Sequence, residues 1–268
     1  MSAEFALEWH LDPSWSGAGR DWSQTPELAL HYQAFRGNLV LRGRGVSLDA
    51  MWGWIPLLDL AVGFDRAGNE LAWRGPGHIA RVEFTENDEE LRFERRVNSA
   101  VISASYAEGE IEVPLPVLLQ RLRGFLDGLC GSLGDEHPSL RGNRWFTSLR
   151  YRPDLESVAF AGELVAGIGG AEEVLRSHVE DNDEVLPHVF LGDLMPWLID
   201  ELERPGGPAR VGEIVDRLER GFAHGPESVD NLVAVSFLEV LPRPGERGAE
   251  LRGMLGSACA AHVDEWRL

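Results

Sequence analysis

Along the first half of the chain, hydrophobic and polar residues alternate singly in several short stretches. In "ARVEFTE", Val82 and Phe84 are separated by charged or hydroxylated residues, and Leu91 and Phe93 repeat that spacing. A period of two belongs to a strand with one face on a core. "EFALEWHL", "LALHYQAF", "NLVLRGRGVSL" and "AVISASYA" read as further strands, with "NDEE" and "RVN" turning the chain between antiparallel neighbours. Two stretches follow helical spacing instead. One runs roughly from Leu48 to Phe64. The other starts at Pro114 or Pro116, where proline suits a first helical turn. It places Val117, Leu118, Leu122, Phe125, Leu126 and Leu129 on one face that lies across the sheet.

After "GDEHPSLRGNRWFTSLRYRPD", which has no sustained period, strand signals stop. Helical spacing recurs in six segments, at roughly 155–167, 171–180, 188–203, 211–223, 227–241 and 247–266. The connectors "GIGG", "RPGGP", "HGP" and "PRPG" break helices, and connectors this short make the helices antiparallel neighbours. The pattern therefore predicts an α+β protein. An N-terminal antiparallel sheet with packed helices spans residues 1–146, and an all-helical hairpin bundle spans residues 152–268.

Charge narrows the function. The net charge is −19 and every basic side chain apart from histidine is arginine. Without lysine there is no Walker-type, Schiff-base or kinase-type lysine chemistry. Residues 1–150 hold 21 acids against 15 arginines, and residues 151–268 hold 23 against 10, so the second part carries most of the excess. So negative a surface repels nucleic acid and anionic lipid and attracts a cationic protein. No apolar run approaches the roughly 20 residues that span a bilayer, and acids stand where a signal peptide would have basic residues. A cytoplasmic protein is expected. Cys130 and Cys259 define neither a disulfide framework nor a zinc site, and both read as buried small hydrophobes.

The stretch "DNDEVLPHVFLGD" comes nearest to chemistry. Asp181, Asp183, His188 and Asp193 have the donor types of a divalent metal site. Their order is not that of an EF-hand, and His188 has no second histidine three or four residues away. The same residues serve as turn and cap before an amphipathic helix carrying Phe190, Leu194, Trp197, Leu198 and Leu202. Asp181, Asp183, Glu184 and Asp230 are the acids least explained as ordinary helix surface. Asp230 also falls at a helix N-terminus, where capping would account for it. In "AMWGWIPLLDL", Trp52 and Trp54 flank Gly53; on one helix stripe both could not face inward, which makes them candidate interface residues, with core packing of both around a helix start the favoured alternative. No cofactor is implied.

"HVFLGDLMPWLIDEL" followed by "GPESVDNLVAVSFLEVLP" resembles an uncharacterised helical family grouped with immunity proteins of bacterial polymorphic toxin systems. "WGWIPLLDLAVGF", "VEFTENDEELRFERR" and "AVISASYAEGEIEVPLPVLLQRLRGFLDGL" are similar to a second uncharacterised bacterial family with comparable associations. The resemblance implies a non-enzymatic protein that binds and neutralises a basic toxin. A scaffold or regulatory adaptor for another protein partner and a metal-dependent enzyme remain the alternatives, and the oligomeric state is open.

Overall fold

A computed structural model describes residues 5–14 and 19–266. The chain is α+β and divides into two compact units, Met1–Arg152 and Pro153–Leu268.

The first unit contains two four-stranded antiparallel sheets. In the first, β2 (Arg36–Gly43) is central; β1 (Ala6–Leu11) pairs along one side, and β3 (Val46–Ser47) and β4 (Ala50–Pro56) along the other. The second sheet is a meander of β5 (Ile79–Glu83), β6 (Glu90–Arg95), β7 (Ser99–Ala104) and β8 (Ala107–Pro114). The expected alternation is realised: Val82, Leu91, Phe93, Ala100 and Ile102 are buried while their neighbours face out. α2 (Leu57–Trp73) and α3 (Leu115–Glu136) pack on each other, and Phe64 of α2 meets Phe93 and Phe125 edge to face. Asp65 is buried on α2 beneath two guanidiniums, Arg123 at 2.7 Å and Arg152 at 2.8 Å.

Four expectations for this unit need correction. "LALHYQAF" is not a strand: Glu27–Tyr32 forms a short helix, α1, begun on Pro26. The segment from Leu48 is not continuously helical, because β4 occupies Ala50–Pro56 and α2 starts only after Pro56. Pairing with β2 overrides the helical spacing there, and Pro56 supplies no N–H to a preceding turn. β8 has no counterpart among the expected strands although its period is legible, with Ile111 and Val113 buried between exposed glutamates. Finally, Val117 is 40% exposed and lies outside the buried stripe of α3. A further short helix, α4 (Arg144–Ser148), is capped by the buried Asn143, whose amide donates to Trp22 O and Thr25 O at 3.0 and 2.9 Å.

The second unit is helical. α5 (Leu155–Val165), α6 (Gly169–Asn182), α7 (Pro187–Leu202), α8 (Gly207–His224), α9 (Glu227–Val233) and α10 (Ser257–Trp266) bury one stripe each. Asp154 caps α5 by accepting from Ser157 N–H at 2.8 Å. Burial works to raise its pKa, but bonds from Ser157, Ser228 and Glu156 outweigh that and hold it below the usual carboxylate value. The last two expected helices are interrupted. α9 passes into a π-helical turn at Ala234–Leu238, and Ala249–Met254 is a 3₁₀ segment separated from α10. No helix among the described residues is long and apolar enough to cross a membrane.

Candidate functional site

The acidic stretch lies at the corner between α6 and α7. α6 ends on the backbone of Asp183, which adopts a left-handed conformation (φ 63°) and donates its N–H to Val179 O at 2.8 Å. Asp is one of the few side chains that tolerate that conformation. The corner is held from inside by His178, a residue given no role from sequence. Its ring is buried, and Leu186 N–H donates to Nε2 at 3.0 Å. Nδ1 therefore carries the proton and donates to Asp193 Oδ2 at 2.7 Å. The amide of Asn182 closes the set by donating to His178 O at 2.8 Å.

This arrangement corrects two expectations. The acids end α6 rather than start α7, whose N-cap is Leu186 with no side-chain bond. The four candidate ligands also separate: Asp193 is engaged by His178, and His188 bonds Ser236 Oγ at 2.7 Å on the exposed face of α7. Among the described residues no three His, Cys, Asp or Glu side chains gather where they could hold a metal ion. Asp181 and Asp183 remain exposed, and their carboxylates bond no described residue. The signal for His178 was its place on the apolar stripe of α6, seven residues after Ala171 and three after Leu175, both buried.

Asp230 sits in the first turn of α9, but the N-cap is Pro226 and no side chain caps the helix. Its carboxylate is exposed, so the expected capping role is not realised. Burial, the hydrogen bond and charge of Glu219, and the charge of Asp230 push the Cys259 thiol well above its ordinary value. Burial also pushes Cys130 up to about 11. Both remain thiols at neutral pH, which suits small buried hydrophobes rather than nucleophiles.

Trp52 and Trp54 stand on β4, not on a helix. Residues two apart on a strand share a face, and their rings stack with centroids 5.0 Å apart and planes 16° from parallel. Trp52 continues inward through edge contacts to Phe84 and Tyr106, at 5.0 and 4.9 Å. Trp54, half-buried, ends the stack on the outer side. Gly53 between them has φ +78°, and its N–H donates to Asn38 Oδ1 at 2.7 Å.

Residues 163–265 match the model of a domain of unknown function, DUF7674. The matched segment begins within α5 and contains the acidic corner and Asp230, but neither tryptophan of the stacked pair. No curated protein and no solved structure matches the chain. Within the matched segment and the start of α5 lies a cleft of about 500 Å³, lined in part by Phe160 and Val229. Arg217 is engaged there: its guanidinium donates to Glu163 O and Ala166 O at 2.8 Å, closing the end of α5, and pairs with Glu213.

Proposed function

We propose that the protein is a non-enzymatic binding module of the immunity type, which neutralises a basic bacterial toxin by covering it. The observation that carries this reading is the α6–α7 corner. Its geometry is built from the Asp183 backbone and the His178 ring, while the carboxylates of Asp181 and Asp183 stand in solvent with no described partner. Carboxylates that do no structural work in an already acidic segment are suited to steer and meet a cationic surface. Trp54, at the outer end of its stack, is a second contact of the aromatic kind that anchors interfaces.

Capture with the tagged full chain from its native cytoplasm and culture, read by mass spectrometry, tests the reading. A basic protein retained in stoichiometric amount is the expected result; retention of no such protein would sink it. The corner is tested separately by Asp181→Asn with Asp183→Asn, because asparagine tolerates the left-handed position and only charge is lost. Association should slow by about tenfold at low salt, with an unchanged melting temperature. Equal association rates for both forms would remove the corner from the interface.

A further inference from the structure

α3 lies against β1, the outer strand of the first sheet, and between them runs a cleft of about 610 Å³. Its walls include Glu8, Trp9 and His10 of β1 and Val117, Arg121 and Gly124 of α3. The hydrogen-bond ladder shows what β1 presents to it. Asp12 N–H donates to Arg36 O at 2.9 Å, continuing the register that runs from Ala6↔Arg42 to Leu11↔Gly37. Bonded and non-bonded pairs alternate in an antiparallel ladder. Glu8, His10 and Asp12 thus bond β2, and the N–H and C=O groups of Leu7, Trp9 and Leu11 point to the other edge. No described strand pairs with that edge.

The opposite wall is shaped to leave room. Val117, Arg121 and Gly124 follow at helical spacing on one face of α3. Arg121 is exposed and forms no ion pair with a described residue, and a Cβ added at Gly124 would meet nothing within 4 Å. A glycine inside a helix weakens it, and here no described neighbour uses the space. Glu8 lies near Arg42, whose pKa is raised chiefly by its bond to Asp49 and further by Glu8. Arg121 thus brings to the cleft wall a guanidinium with no ion pair to a described residue.

We propose that this cleft receives an extended segment of a partner protein, which joins the first sheet as a fifth strand beside β1 and sets an acidic side chain on Arg121. Main-chain bonds to Leu7, Trp9 and Leu11 hold the segment, and its alternate side chains face α3. An apolar side chain rests on Val117 and the Trp9 ring, and the backbone passes over Gly124. The proposal concerns the N-terminal unit and does not depend on the immunity reading.

A random dodecapeptide library displayed on phage and selected against the full chain provides the probe. Selected peptides should share an acidic residue in alternation with apolar ones. Their synthetic forms should bind at least about tenfold more weakly to Arg121→Glu and to Gly124→Phe, and N-methylation of alternate amides should abolish binding. Gly124→Phe projects into open space and replaces a poor helix former, so a thermal melt should show it folded. Equal binding to the wild-type chain and Gly124→Phe, or no selected family at all, would overturn the proposal. So would a dimer in light scattering that Gly124→Phe separates, since β1 would then pair with a second copy.

Discussion

His178 shows how one side chain can organise a corner. It accepts from a backbone N–H of the connector and donates to a carboxylate on the next helix, with no part of the ring exposed. Replacing it by alanine strands the Leu186 N–H beside a cavity and frees Asp193 from its partner. His178→Ala should cost about 2–4 kcal/mol in urea denaturation, whereas His188→Ala, which gives up one exposed bond to Ser236, should cost under about 1 kcal/mol. A comparable loss for both would show that burial does not set the difference. Spacing in the sequence picked out His188 because it stood among acids. The partner of His178 lies fifteen residues away on another helix, and that distance only the fold closes.

Among the elements, β4 depends on more than its own pattern. The helical spacing after Leu48 is real, yet β2 takes Ala50–Pro56 as a strand, with a register shift opposite Asn38. Gly53 makes the shift work: its φ is +78°, and a Cβ there would come within 2.6 Å of Asp12 Oδ2. Gly53→Ala should therefore destabilise the protein by about 1–3 kcal/mol through backbone strain and weaken the near-UV circular dichroism of the stacked Trp52–Trp54 pair. An unchanged dichroism with unchanged stability would show that the strand tolerates a side chain there. Helical spacing hides the stack, because on a helix two residues apart means different faces. On a strand the same spacing brings the rings together.

The whole chain is governed by its charge of −19, concentrated in residues 151–268. Encounter with the proposed basic partner should slow as ionic strength rises from 0.05 to roughly 0.5 M, because the screening length shrinks from about 13 to about 4 Å, while dissociation changes little. Stopped-flow mixing separates the two rates; a salt effect confined to dissociation would argue against steering. The α+β class, the change to helices after residue 152, the acidity and the absence of lysine chemistry are properties of composition and local period, and the sequence by itself determined them. Periodicity specifies which face of an element is buried, but not what that face or edge will meet. The tertiary structure alone decided that Asp193 answers His178, that Asp65 lies under Arg123 and Arg152, and that no described strand pairs with the outer edge of β1 beside Gly124. Each of these joins residues distant along the chain, and such pairings follow from how the elements pack rather than from any local pattern.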